Sequence, residues 1–207
     1  MKTENVSKPA LLAAITAASS FMADKDIRHY LTGVMLDFDK DNCIDMVATD
    51  GTVMLALVVH APNDIKGQYI LPATDVKKIL KLFTKSDKEP VLRFEVAPEN
   101  FADDIVITDG KLSYAMTRID GKFPDWTLAM PKEDREDTAS NEAKVEPIGL
   151  KLPYLTKVSK ALALVATKKY EGTRLYIHNA KSSILFTTPS GFPDLSDIRG
   201  VIMPMRL

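Results

Sequence analysis

The chain has 207 residues, 45% hydrophobic and 27% charged, the composition of a globular protein with room for one large or two small domains. Its 27 basic and 28 acidic side chains give a net charge of −1, which excludes a globally basic nucleic-acid binder; any phosphate contact must come from local segregation of charge. A single cysteine, Cys43, excludes an internal disulfide and a cysteine zinc cluster and fits a reducing compartment. No apolar run reaches the length of a bilayer span and residues 1–5 lack a signal-peptide core, so the sequence reads as soluble, cytoplasmic and unprocessed.

Ser7, Lys8 and Pro9 open the first predicted helix, a capping residue ahead of a proline whose missing N–H costs nothing in the first turn. Leu11, Leu12, Ile15, Ala18 and Met22 follow at helical spacing, while the opposite face is small and uncharged. Residues 31–38, 44–48 and 53–59 read as strands rich in branched and aliphatic side chains. The turn from Asp37 to Asn42 has carboxylates at alternate positions, like the opening of a calcium loop. Asn42 stands where that loop needs glycine and Ala48 where it needs glutamate, so the turn reads as a solvated hairpin. Asp50-Gly51 supplies the positive φ of a tight hairpin.

The pattern then restarts, with a strand at 68–71, a helix after Pro72 carrying Val76, Ile79, Leu80 and Phe83 inward, and strands at 91–96, 104–108 and 112–119. An acidic stretch at 133–144 has no apolar periodicity and reads as a linker. A third round follows: a strand at 148–152, a helix at 153–165 with Leu155, Val158, Leu162 and Val165 inward, and strands at 174–178, 183–187 and 200–205. A unit of strand, helix and three strands thus occurs three times. The expected fold class is α+β, with antiparallel sheets outside and helices on one face. Two units fall in residues 1–132 and a third in 145–207.

Lys77, Lys78, Lys81 and Lys85 lie opposite the apolar stripe of the second helix, and Lys157 and Lys160 belong to the third. The acidic residues gather in the linker and the turns. Two basic helices in equivalent positions predict a surface that tracks duplex phosphates without reading bases. No aromatics interleave with these lysines, which argues against a stacking platform for single strands. His29, His60 and His178 are scattered, and neither a glycine-rich phosphate loop nor a nucleophile motif occurs. No catalytic residue, metal or cofactor is assigned. The closing stretch Val201-Ile202-Met203-Pro204-Met205-Arg206-Leu207 is apolar and broken by a proline that cannot donate to a ladder. It reads as a last edge strand or, methionine being adaptable, as one wall of a groove.

Four segments resemble, in order, signatures of the bacterial DNA polymerase III beta subunit, the sliding clamp: Arg28-His29-Tyr30-Leu31-Thr32-Gly33, Val47-Ala48-Thr49-Asp50-Gly51, Asp120-Gly121-Lys122-Phe123-Pro124-Asp125-Trp126, and the closing Val201 to Leu207. Each is weak alone; four in register on the repeat are specific. Residues 1–132 resemble the family's middle domain, and 145–207 mainly the second half of its last domain. The chain therefore resembles a shortened clamp, of the kind a phage or mobile element would encode.

The resemblance implies the DNA clamp fold and a homo-oligomeric ring around duplex DNA, with helices lining the hole, sheets outside, and a clamp loader as a further partner. It also implies a cleft that captures a short peptide of DNA polymerase and other clients. Carried over by position, that cleft comprises Leu31, Thr49, Gly51, Pro124, Val201, Met203, Pro204, Met205, Arg206 and Leu207. Thr52-Val53-Met54-Leu55 replaces the family's usual His-Arg-Leu, and Leu128 and Ala129 replace a basic and an aliphatic residue, so the rim is less basic. Three units fit a ring of paired units only if chains share a domain across an interface. The alternative is a module that captures clamp-binding peptides, as decoy or regulator, without encircling DNA.

Overall fold

The computed structural model describes residues 1–85, 91–96, 105–131, 148–168, 172–177, 179 and 182–205. The acidic stretch at 133–144 lies outside them, as do Arg206 and Leu207 of the expected cleft.

The first unit comprises β1 (Val6–Ser7), α1 (Lys8–Ser19), β2 (Gly33–Asp37), β3 (Cys43–Thr49) and β4 (Val53–His60). The second comprises β5 (Gln68–Pro72), α2 (Ala73–Thr84), β6 (Val91–Val96), β7 (Ile105–Thr108) and β8 (Ser113–Met116). The third has α3 (Leu152–Val165), β9 (Arg174–Tyr176), β10 (Ile184–Thr188) and β11 (Leu195–Ile202). One sheet runs β1-β6-β7-β8 and the other β5-β2-β3-β4-β11-β10-β9. The first two units exchange their leading strands, β1 pairing with β6 and β5 with β2. The third unit joins the first through the antiparallel β4–β11 ladder.

The helices form one layer in which α1 packs against both α2 and α3. Small side chains suit α1 to that middle place: Ala10, Ala14, Ala17 and Ala18 are buried together with Leu11 and Ile15. On α2, Val76, Ile79 and Phe83 are buried while Lys77, Lys78 and Lys81 are exposed, the amphipathic pattern of a helix on a sheet. The main core lies between this layer and the sheets. A second, smaller core covers the other face of the long sheet, where Leu31, Met35, Val47, Met54, Ile70, Phe123 and Val201 meet. The middle strands are therefore buried on both faces, which explains the nearly unbroken apolar run from Val53 to Val59.

Five expectations need correction. The strand expected at 112–119 covers only Ser113–Met116. The strand expected at 31–38 opens with a short 3-10 helix, His29–Thr32, before β2. The expected leading strand at 148–152 reduces to one bridge, Gly149 to Met205, and Leu152 already belongs to α3. Leu155, expected inward, is exposed. The last strand covers Leu195–Ile202 rather than 200–205, because Asp197 takes a positive φ of 46° and the register shifts between Ser196 and Arg199. That bulge lets turn-like residues remain inside a strand.

Gly200 sits where β11 crosses β4 and β10, opposite Leu55 and Phe186. A Cβ there would fall well inside contact distance of the Met54 carbonyl oxygen and the Phe186 ring. Gly200→Ala should destabilise the protein by about 1–3 kcal/mol through overpacking, read as a lower urea midpoint at unchanged slope.

Candidate functional site

A pocket of about 410 Å³ opens on the face of the long sheet opposite the helices, where the β3–β4 hairpin, the segments around residues 28–31 and 123–129, and the end of β11 converge. Each part is fixed locally. In the hairpin, the Thr49 hydroxyl donates to the Val53 carbonyl at 2.8 Å and accepts the Gly51 N–H at 3.0 Å. Asp50 Oδ1 accepts the N–H groups of Thr52 and Val53 at 2.9 and 3.0 Å. Gly51 has φ 87°, a conformation natural to glycine. The other Asp50 oxygen accepts Lys157 Nζ at 2.8 Å, tying α3 of the third unit to this hairpin.

The opposite wall is a short 3-10 helix, Trp126–Ala129, capped by Asp125, whose Oδ1 accepts from the Thr127 N–H at 3.1 Å and its hydroxyl at 2.6 Å. Tyr30 and Phe123 pack edge to face at 6.5 Å. The floor is apolar, with Leu31 and Val201 almost fully buried. Met203, 47% exposed, forms a movable wall anchored by its N–H to the Thr52 carbonyl at 3.0 Å. Arg28 supplies a cation at the rim. Asp26 grips its guanidinium at 2.9 and 2.8 Å, and a Cβ at Gly51 would lie 3.1 Å from it.

Of the residues expected in a cleft, Leu31, Thr49, Gly51, Pro124, Val201 and Met203 line this one pocket. Pro204 and Met205 are not part of its lining; the Met205 N–H instead donates to the Gly149 carbonyl at 2.8 Å. The pocket also takes in Arg28, Tyr30, Met54, Trp126 and Ser183, none of which was among the expected cleft residues. Arg28, Tyr30 and Trp126 fall within the segments that carried the resemblance, and that was their signal. Met54 fell within the Thr52 to Leu55 stretch that departs from the family pattern at the rim, and Ser183 had no signal.

On the helix layer, Lys77, Lys78, Lys81, Lys85 and Lys160 are exposed. Lys78 lies 3.5 Å from Asp75 and 5.8 Å over the Tyr114 ring, and the Tyr114 hydroxyl, ahead of the charge of Asp75, raises its pKa. Lys157 differs from the rest: its side chain is mostly buried and its charge is neutralised by Asp50. The basic helices α2 and α3 thus flank α1, whose exposed side is largely uncharged.

The carboxylates of the 37–42 turn are engaged by the chain itself. Lys66 binds Asp41, the Gly67 N–H donates to Asp39 at 2.9 Å, and Gln68 donates to Asp37 at 2.8 Å. Among the described residues no group of three His, Cys, Asp or Glu could hold a metal ion, and no helix is long and apolar enough to cross a membrane. Cys43 opens β3, and burial pushes its thiol pKa up, away from the reactive thiolate range.

The side-chain hydrogen bond from Arg28 holds the Asp26 carboxyl down at about 2, from an ordinary 3.8. The ion pair at the rim therefore persists well below neutrality: its contribution is full above pH 3.8 and is lost as pH falls through about 2. A carboxyl-detected NMR titration should place the Asp26 midpoint near 2, and Arg28→Ala should raise it only part of the way back, because the N–H of residue 28, which also donates to Asp26 Oδ1 at 2.8 Å, survives the substitution.

No family model matches the chain. It is 25% identical over 187 residues to the beta sliding clamp of Pseudomonas aeruginosa, covering 89% of this chain and 46% of that protein. It is 24% identical over 176 residues to the beta sliding clamp of Escherichia coli, covering 84% and 43%. The chain spans about half the length of the curated relatives it matches. Among solved structures, the DNA polymerase III subunit beta of Pseudomonas aeruginosa matches with a TM-score of 0.74 at 22% identity, covering 100% of this chain and 66% of that one. A sliding clamp from the same organism bound to griselimycin gives 0.65 at 20% identity over the same shares.

Proposed function

From a chain similar to the bacterial beta sliding clamps over most of its length and sharing the DNA clamp fold, we propose that it acts as a clamp: a non-catalytic cytoplasmic processivity factor that encircles duplex DNA as a homo-oligomeric ring, placed by a loader, and tethers DNA polymerase and other clients by capturing a short peptide. The observation that carries this reading is the convergence of six residues, drawn from four separate segments, on one pocket. An extended peptide would lay apolar side chains on Leu31, Val201 and Met54, with Met203 adjusting to their shape. Arg28 at the rim would favour an acidic group or a carbonyl. Pro204, Met205, Arg206 and Leu207 would extend the wall beyond Met203.

The helix layer supplies the DNA side. Lys77, Lys78, Lys81 and Lys85 on α2 and Lys160 on α3 would track phosphates without base contacts. Lys157 would serve instead as the tether of α3 to the cleft hairpin. A second reading, peptide capture without encirclement, has its own support: the described pocket is complete within one chain, so the cleft needs no ring.

Fluorescence anisotropy with a labelled clamp-binding peptide tests the cleft. Leu31→Asp and Met203→Asp should each weaken binding at least tenfold, about 1.4 kcal/mol, and unchanged affinity in both would remove the cleft assignment. Retention on nicked circular against linear duplex tests encirclement, since a ring slides off free ends only. Replacing Lys77, Lys81 and Lys85 with Glu should lower the slope of log affinity against log salt by about 0.9 for each phosphate that is no longer neutralised. Lys157→Ala should leave that slope nearly unchanged while loosening the hairpin.

A further inference from the structure

Two of the cations near the cleft are matched within the chain, Arg28 by Asp26 at 2.8 Å and Lys157 by Asp50 at 2.8 Å. Arg199 and Arg174 are not: among the described residues no carboxylate lies within ion-pair distance of either. Arg199 lies on β11 opposite Ala56, and Val201, on the pocket floor, lies two residues on, opposite Met54. Ala56, Met54 and Val201 all belong to the second core. Side-chain alternation therefore puts Arg199 on the cleft face of the sheet, about 7 Å from Val201 along the strand. There its guanidinium lies over the Trp126 ring, 6.0 Å from the centroid, and Trp126 also lines the cleft. Arg199 Nε is shut away from solvent and bonds nothing, which leaves the terminal nitrogens to meet a ligand.

The same row continues outward across the sheet. Thr187 on β10 faces Arg199, and Arg174 on β9 faces Thr187. The two arginines thus flank a threonine on one face, two strands and roughly 10 Å apart, and all three residues line a second pocket of about 330 Å³. Ser196 adds a hydroxyl to that lining, and Asp197, at the bulge, adds a carboxylate. Two guanidinium groups against one carboxylate leave the described lining with a single net positive charge. That balance suits a singly charged carboxylate better than a doubly charged phosphate, and a planar guanidinium offers a carboxylate two parallel hydrogen bonds. Stacking on Trp126 orders the Arg199 group beforehand, so little freedom is lost when it is engaged.

We propose that this second pocket is a carboxylate subsite of the cleft, taking an acidic group of the captured peptide between Arg199 and Arg174. The subsite rests on the peptide-cleft reading and narrows it to a class of client: one whose apolar anchor sits on Leu31 and Val201 and which carries an aspartate, a glutamate or its own C-terminus two residues away. Alternate residues of an extended peptide stand about 7 Å apart, the spacing of Val201 and Arg199 on β11. Between the two pockets the peptide crosses the Trp126 ring.

Fluorescence anisotropy of the full chain with paired, amidated clamp-binding peptides tests the subsite. The members of a pair differ by glutamate or glutamine, placed two residues before the last apolar residue in one pair and two residues after it in the other. At low salt the glutamate peptide of one pair should bind several-fold tighter than its glutamine counterpart, and the pair that discriminates gives the direction in which the peptide runs. The preference should fade as salt rises. Arg199→Gln should bring the two affinities of that pair together while the glutamine peptide still binds. Arg174→Gln, at an exposed position away from the cleft lining, should narrow the gap, so the test holds even where thermal unfolding shows that Arg199→Gln disturbs β11. A glutamine peptide ending two residues after its last apolar residue, with a free terminus in place of the amide, separates a terminal carboxylate from a side-chain one. Equal affinity of the parent for all these peptides, with Leu31→Asp still weakening binding, overturns the subsite alone. So does a preference that survives both arginine substitutions, since its source is then another cation such as Arg28. Absence of binding by every peptide, or binding indifferent to Leu31→Asp, overturns the cleft reading and the subsite with it.

Discussion

The antiparallel ladder between β4 and β11 is the contact on which the rest depends. It joins residues 53–59 to residues 195–202, far apart in sequence, and makes one sheet of two units that would otherwise be separate layers. The inner face of that sheet carries the helices and the main core. Its outer face carries the second core and, at its margin, the pocket. The pocket therefore exists only while β11 lies against β4: Val201, opposite Met54, supplies the floor, and Met203 follows directly as the wall. The close approach at Gly200 is the steric condition for that ladder.

A second constraint links the pocket to the helix layer. Asp50 uses one carboxylate oxygen to hold the hairpin backbone and the other to hold Lys157 on α3. Both partners are more than two-thirds buried, so the pair is less screened than a surface salt bridge, and removing one partner would leave the other charge poorly solvated. A basic residue on the helix layer is thereby made part of the scaffold of the pocket, while Lys77, Lys78 and Lys81 of α2 remain exposed to solvent. The same residue type at equivalent helical positions thus performs different tasks, according to what the neighbouring unit presents.

Much of this was legible in the sequence. The threefold recurrence of strand, helix and three strands gave the elements of the units and their helical faces, because periodicity reports burial directly where an element has one wet side. The hairpin at Asp50-Gly51 and the 3-10 cap at Asp125 follow from turn chemistry that acts over a few residues. What stayed hidden was non-local. Nothing in residues 193–197, rich in turn formers, signals that a bulge at Asp197 keeps them in a strand. Leu155 has the spacing of a core residue, and its exposure reflects what stands beside α3, which periodicity along α3 cannot report. Lys157 reads like any helical lysine until Asp50 is placed next to it.

The leading-strand exchange between the first two units is a local twofold relation, and the antiparallel meeting of β4 with β11, last strand against last strand, is another. Units that adjoin in space, the second beside the first and the first beside the third, therefore alternate in direction. Three units are joined by two such relations, so the second and third units, at the two ends of the row, point the same way.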